Sequence, residues 1–149
     1  GALTFPRELI WKNNTIYQRP IEGLQKYYQA QYKYNGQLIN CSCDIEAFID
    51  GSFQIKFQAI NGNFIIGQED KGVYLDTRLS NNLNGCIRYT TEHYQHATIR
   101  ILLDQSSIEL FIDDGKEVIS SRVYLDQGYT LEVIGNVSNI WIKEVKGCN

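Results

Sequence analysis

Apolar side chains recur at every second position through much of this chain, and that period decides what it can fold into. Phe53, Ile55, Phe57 and Ala59 alternate with Ser52, Gln54, Lys56 and Gln58. Ile99, Ile101 and Leu103 alternate with Thr98, Arg100 and Leu102, and Ile108, Leu110 and Ile112 alternate with Glu109, Phe111 and Asp113. A strand turns successive side chains to opposite faces, so each run describes a strand with one face on a core. Turn signals punctuate the runs at Asp50-Gly51, Asn61-Gly62, Asp70-Lys71-Gly72, Asn84-Gly85 and Asp114-Gly115. Many short strands joined by Gly and Asn turns predict an all-β chain, folded as a two-sheet antiparallel β-sandwich of lectin or jelly-roll type. With 149 residues one hydrophobic core suffices, and no linker, low-complexity tract or internal repeat divides the chain. Residues 1–149 therefore read as a single domain.

One segment departs from the two-residue period. Pro20 suits a first helical turn, and Ile21, Leu24 and Tyr28 fall on one side of it, although Gly23 weakens the pattern. This predicts at most one short helix near the N-terminus, lying over an end or edge of the sandwich. Just before it, residues 8–12 and 15–19 flank Asn13-Asn14 as a hairpin. Residues 108–113 and 117–124 should pair through the Asp113-Asp114-Gly115-Lys116 turn. Two further strands, 129–135 and 139–145, close the chain.

Charge and composition exclude several function classes. The net charge is -3 and there is no basic stripe, which argues against a nucleic-acid partner. No apolar run approaches the roughly 18 residues needed to span a bilayer, so no membrane role is expected. Cys41 and Cys43 flank Ser42 in a predicted strand and share a face, a geometry that suits a disulfide poorly. With Cys86 and Cys148 and no C-x-x-C pair, the four cysteines read as reduced thiols of an intracellular protein, not a metal site. His93 and His96 form an H-x-x-H in a polar stretch read as an exposed loop. Asn13, Asn40 and Asn136 open glycosylation sequons of a kind that an Asn-rich chain produces by chance. Paired carboxylates could serve glycoside chemistry. The candidates Asp76, Asp104, Glu109, Asp113 and Asp114 nevertheless read as structural: turn residues in most cases, and for Glu109 a solvated strand residue or a partner for Arg100 or Arg122. There is no G-x-S-x-G, no P-loop and no dinucleotide fingerprint, so neither a nucleophilic triad nor a cofactor is expected. Tyr27, Tyr28, Tyr32 and Tyr34 cluster in one polar stretch. They could offer flat stacking surfaces to a sugar, but packing onto the sandwich is the favoured reading. The sequence contains no Met and opens with neither a basic nor an apolar leader, which suggests a piece of a longer protein.

Several ordered segments carry a more specific resemblance. Ala2-Leu3-Thr4-Phe5-Pro6-Arg7-Glu8-Leu9, followed by Tyr17-Gln18-Arg19-Pro20, is similar to the entry of the C-terminal β-sandwich of glycoside hydrolase family 32. Tyr74-Leu75-Asp76, the run from Asp104 to Gly115 (DQSSIELFIDDG) and Ser121-Arg122-Val123-Tyr124 resemble later motifs of that domain, with Leu125 a departure where many relatives have Pro. The family comprises invertases, sucrose-6-phosphate hydrolases and fructanases. The resemblance implies a two-domain enzyme in which an N-terminal five-bladed propeller cleaves with retention through a covalent fructosyl intermediate. The family's catalytic groups lie in Asn-Asp-Pro, Glu-Cys and Arg-Asp-Pro motifs. Here Pro6 and Pro20 follow Phe5 and Arg19, and no Glu precedes a cysteine, so no catalytic residue carries over. The expected role is a non-catalytic support for the propeller, with Arg7, Glu8, Arg19 and Pro20 at the interdomain seam. A homodimer contact and a carbohydrate ligand are further expectations, the latter as a lectin-like carbohydrate-binding module. Sucrose or its 6-phosphate is the expected substrate of the parent enzyme. The Asn, Ile, Lys and Tyr bias suits an AT-rich bacterial genome, which points to a bacterial cytoplasm, with an extracellular location as the alternative.

Overall fold

Asn13 and Asn14 both adopt left-handed backbone, with φ of 53 and 57°, the two-residue turn whose twist matches that of antiparallel strands. It joins β1 (Arg7–Lys12) to β2 (Thr15–Pro20) as a separate two-stranded ribbon, in the predicted hairpin. The computed structural model describes residues 6–80, 84–124 and 128–145. After the ribbon comes one 3-10 turn, Glu22–Tyr27, and then β3 (Tyr28–Lys33), β4 (Cys43–Ala59), β5 (Gly62–Glu69), β6 (Gly72–Asp76), β7 (Ile87–Tyr89), β8 (His96–Leu103), β9 (Ser107–Ile112), β10 (Glu117–Arg122) and β11 (Thr130–Val145).

Two long strands organise the two layers. The first half of β4, Cys43 to Asp50, pairs with β8, and its second half, Phe53 to Ala59, pairs with β5. The other edge of β4 takes β11 along both halves. Hydrogen bonding is therefore continuous, but the chain turns a corner between the layers. Gly51 (φ 82°) and Gly135 (φ 88°) stand at that corner. A Cβ on Gly135 would sit 2.6 Å from the Ser52 carbonyl oxygen, too close for any other residue. One layer runs β10-β9-β8-β4-β11-β3 and the other β7-β6-β5-β4-β11. The two-sheet antiparallel sandwich is as expected. The two closing strands predicted from the sequence are instead one strand, β11, whose register shifts at Gly135/Val137 and Ser138/Trp141. Gly135 and Asn139 read as breaks in one dimension, yet they serve as bulges within a continuous ladder.

The odd-numbered residues of β4, from Ile45 to Phe57, point inward on both sides of the corner, apart from Gly51. They meet Ile99, Ile101, Leu110 and Ile112 from one layer and Phe64, Ile66 and Leu75 from the other. Phe57 and Phe64 stack with ring centroids 4.3 Å apart. Each such fully buried side chain contributes about 1.5–3 kcal/mol relative to exposure. A second, smaller cluster of Leu24, Leu102 and Phe111, flanked by Tyr28 and Val118, lies on the opposite, outer face of β8 and β9. The predicted short helix is thus a 3-10 turn lying on a sheet face, not over an end or edge. This also explains why β9 is buried at every position, where alternation predicted one open face.

Candidate functional site

The outer face of the larger layer carries the polar chemistry of the chain. Register places its side chains in rows: Ser120, Glu109, Leu102, Asp44 and Lys143 in one, and Val118, Phe111, Arg100, Glu46 and Trp141 in the next. Direct and diagonal neighbours across such rows are the units of sheet stabilisation.

At one end of this face the ribbon is clamped by charge. Arg7 donates from Nη2 to Glu109 Oε1 at 2.5 Å and to Ser120 Oγ at 2.9 Å, and from Nη1 to Gln18 Oε1 at 2.9 Å. Its guanidinium lies 5.5 Å from the Phe111 ring centroid. The Glu109 side chain is 1% exposed, so this carboxylate is a buried charge with a matched cation. Glu109 is therefore not a solvated strand residue, and Arg7 is a partner that sequence did not suggest. Lys12 Nζ reaches Asp114 Oδ2 at 3.0 Å and Arg19 pairs with the same carboxylate. Burial raises the Asp114 pKa, but the hydrogen bonds from Lys12 and Arg19 outweigh it and hold the carboxyl below its ordinary value. The Gln18 amide donates to the Gly115 carbonyl at 2.9 Å.

A second cluster occupies the middle of the face. Arg100 grips the fully buried Asp44 in a bidentate pair, Nε to Oδ1 at 3.0 Å and Nη2 to Oδ2 at 2.6 Å, and the Tyr28 hydroxyl bonds the same carboxylate. Burial first and the hydrogen bond to Asp44 second push the Tyr28 hydroxyl well above its usual pKa. Lys143 ties Glu46 at 3.2 Å. Sequence reading missed Asp44: it sits at a polar phase of β4, and only the fold shows Leu102 and Tyr28 closing over that phase.

Between ribbon and sheet runs a groove of about 400 Å3, lined by Pro20, Phe48, Arg100, Phe111, Asp114 and Trp141 among others. Elsewhere, Glu117 accepts hydrogen bonds from the Thr91 amide at 2.7 Å, the Thr91 hydroxyl at 2.8 Å and the Tyr94 hydroxyl at 2.5 Å. Burial works to raise its pKa, but these donors hold it below the ordinary carboxylate range.

The four residues expected at a seam come together as two cross-strand pairs of the ribbon, Arg7 opposite Pro20 and Glu8 opposite Arg19. The remaining acids proposed from sequence serve local structure. Asp76 holds Arg78 through both oxygens, Asp104 accepts from Ser42 Oγ and the Gln105 amide, and Asp113 occupies the β9–β10 turn with φ 52°. His93 is exposed in the loop before β8, and His96 Nδ1 lies 3.0 Å from Asp50. Cys41 precedes β4 instead of lying within it. Cys41, Cys43 and Cys86 are free thiols, and Cys148 lies outside the described residues. Burial pushes the Cys43 thiol up to about 12. Of the tyrosine cluster, Tyr32 and Tyr34 pack against the main core and Tyr28 against the outer cluster, while Tyr27 is exposed. Tyr34 also accepts a hydrogen bond from the Leu131 amide. Among the described residues no group of three His, Cys, Asp or Glu side chains could hold a metal ion, and no helix is long and apolar enough to cross a membrane.

A family model described as glycosyl hydrolases family 32 C terminal matches residues 49–140, more than half of the chain. The sucrose-6-phosphate hydrolase of Vibrio alginolyticus is 29% identical over 134 residues, which cover 85% of this chain and 28% of that protein. The sucrose-6-phosphate hydrolase of Klebsiella pneumoniae is 30% identical over 135 residues, covering 89% and 28%. The chain thus spans less than a third of the length of these curated relatives. Among solved structures, sucrose-6-phosphate hydrolase from Lactobacillus gasseri superposes with a TM-score of 0.74 at 13% identity, covering 94% of this chain and 33% of that one. A family 32 β-fructofuranosidase from Bombyx mori gives 0.69 at 20% identity, covering 95% and 32%. At such identities the likeness is one of fold.

Proposed function

This chain belongs to the C-terminal domain family of glycosyl hydrolase family 32, and from that premise we propose that it is the non-catalytic β-sandwich of a β-fructofuranosidase-type enzyme. A catalytic propeller precedes it in the full-length protein and hydrolyses sucrose, sucrose-6-phosphate or fructan with retention, in a bacterial cytoplasm. The sandwich is its support, and the end of the ribbon bearing Arg7, Glu8, Arg19 and Pro20 lies at the seam.

The observation that carries this reading is the employment of the carboxylates. A retaining glycosidase needs one carboxylate free to attack and a second free to donate a proton, about 5–5.5 Å apart across a substrate cleft. Glu109, Asp44, Asp114 and Asp76 are each committed to an arginine or lysine within the sandwich, and Asp104 and Glu117 to loop donors. The test is heat inactivation of sucrose hydrolysis by the full-length protein, with and without residues 1–149. Truncation should shorten the half-life at least about tenfold. An unchanged half-life would contradict a supporting role.

A second reading, a lectin-like module, draws on the groove. Trp141 and Phe48 are partly open there beside Arg100 and Asp114, and an aromatic ring flanked by planar polar groups suits a sugar ring. Titrating the chain with sucrose, inulin and levan while following tryptophan fluorescence tests it. Saturable binding, abolished by Trp141→Ala, would favour this reading.

A further inference from the structure

We propose that Asn35 is a site of spontaneous covalent modification. Of the Asn-Gly pairs in the chain, it is the one that the fold leaves room to lose its side-chain ammonia and pass through a cyclic imide to aspartate and isoaspartate.

The reaction makes two demands. The backbone nitrogen of the following residue must reach the Asn side-chain carbonyl carbon, and the backbone must rotate to bring it there. Glycine in the following position helps with both, because it has no Cβ to obstruct the approach and samples more backbone conformations than any other residue. The chain holds three such pairs, Asn35-Gly36, Asn61-Gly62 and Asn84-Gly85. At the first, the Gly36 nitrogen bonds to Asn35 Cγ, the Cγ–Nδ2 bond breaks, and ammonia leaves with the amide proton. Water then adds to one of the two imide carbonyl carbons and opens the ring. One opening gives aspartate, the other isoaspartate with an extra methylene in the backbone. Solvent water is the only co-reactant, and no oxidant or reductant is needed.

The fold ranks the three pairs. Asn35 and Gly36 lie in the connection between β3, which ends at Lys33, and β4, which begins at Cys43. Residues 35–38 are all exposed. Among the described residues nothing lies within 4 Å of the position that a Cβ on Gly36 would take, so this peptide has space to rotate. The Asn35 amide donates to Gln37 Oε1 at 2.5 Å, a bond made within the same exposed stretch. The firm anchors stand on either side: the Tyr34 amide donates to the Ile140 carbonyl at 2.9 Å, and Ile39 exchanges hydrogen bonds with Tyr129 at 2.9 and 2.8 Å. Asn61 and Gly62 are only partly exposed and sit in the β4–β5 hairpin. Gly62 pairs with Ala59, its carbonyl accepts from Gln58 Nε2 at 3.3 Å, and the next amide, that of Asn63, donates to the Leu79 carbonyl at 2.8 Å. Gly85 is packed more tightly still. A Cβ there would stand 2.3 Å from the Thr77 carbonyl oxygen, and the Cys86 amide donates to Thr77 Oγ1 at 3.2 Å. Rotating either of these two peptides disturbs such contacts, so their conversion waits on local opening. At Asn35 no such opening is required. The new carboxyl, and the extra methylene of isoaspartate, fall between the Tyr34 and Ile39 anchors, where the sandwich can carry them without unfolding.

Ageing the full-length protein in mildly alkaline buffer, folded and in parallel in urea, tests the assignment. Tryptic peptides are followed by mass spectrometry for the gain of one mass unit. Isoaspartate is counted by an isoaspartyl methyltransferase that transfers labelled methyl groups from S-adenosylmethionine. In urea the three sites should convert at similar rates. In the folded protein Asn35 should lead the other two by at least about tenfold, because only they need the structure to open. The first acidic species to accumulate should focus with the Asn35→Asp variant, one charge below the formal -3 of the starting chain. Equal rates at the three sites in the folded protein, or a lead by Asn61 or Asn84, would overturn the proposal. So would an Asn35 that converts in urea and stays intact in the folded protein.

Discussion

Replacing Arg7 by alanine should cost this domain far more stability than its place near the start of the chain suggests. The side chain spans three elements: it bonds Gln18 in β2, Glu109 in β9 and Ser120 in β10, and covers the Phe111 ring. Its partner Glu109 is 1% exposed, while Arg7 itself is 23% exposed. Breaking a buried ion pair from one side costs about 3–5 kcal/mol, and the partial exposure of Arg7 places the expected loss at the lower end, about 3 kcal/mol. For a chain of this size each kcal/mol moves the thermal midpoint by about 2–4 °C, so Arg7→Ala should fall by roughly 6–12 °C. Arg19→Ala is the matched comparison. It removes a cation from Asp114, whose side chain is 48% exposed, and an exposed pair contributes about 0–1 kcal/mol. Circular dichroism melts of both variants provide the assay, with the Michaelis constant for sucrose measured in parallel on the full-length protein. The constant should stay within about twofold of wild type for Arg7→Ala, since lost support alters the amount of folded enzyme and not its site. A midpoint shift under about 2 °C, or one equal to that of Arg19→Ala, would refute the reasoning. So would an unchanged midpoint with a large rise in the constant.

Three further outcomes follow from the same face and its neighbours. Gly115→Ala should destabilise by at least about 2 kcal/mol, because Gly115 holds φ 90° and an added Cβ would be driven into the Gln18 backbone; hydrogen exchange of the Gln18 amide should accelerate with it. Leu24→Ala should cost about 2–3 kcal/mol by emptying the small cluster over Leu102 and Phe111, read from the denaturant midpoint. Glu117 is a carboxylate whose folded pKa lies below its ordinary 4.5, so its contribution is fully present above that value and is lost as pH falls through the folded pKa. The midpoint difference between wild type and Glu117→Gln should accordingly be largest near neutrality and shrink below pH 4.5. A difference that grows on acidification would contradict the hydrogen-bonding account of the 91–94 loop.

Local chemistry explains which parts of this fold can be read directly from sequence. Asn13-Asn14 and Asp113-Asp114-Gly115 declare their turns because left-handed backbone restricts the residues that can occupy it. The odd-numbered residues of β4 declare their face because the period of a strand is short and strict. What sequence does not reveal depends on contacts distant along the chain. Nothing around Phe111 or Leu102 says that a 3-10 turn some 80 residues earlier will cover them. Nothing near Glu109 points to Arg7 as a partner, because that contact is made by the angle at which the ribbon returns. Asp44 and Arg100 each occupy a polar phase of an alternating strand and become a buried pair only through the register of β4 with β8. The corner strand β11 misleads in a third way: Gly135 and Asn139 are the residues that end strands, and they are also the residues that let a strand bend and continue. Arg7, Glu8, Arg19 and Pro20 could be named together because the motifs that carry them lie close in sequence. Their grouping as two facing pairs follows from the hairpin itself.

The most direct measurement of the account is fructose release. Purified 149-residue chain, folded and matched in molar concentration to the full-length protein, is incubated with sucrose, sucrose-6-phosphate and inulin, and free fructose is followed over hours. The full-length protein should turn over, and the isolated sandwich should release fructose at a rate indistinguishable from buffer. Fructose released by the sandwich alone, and abolished when one of its own carboxylates is neutralised, would contradict it.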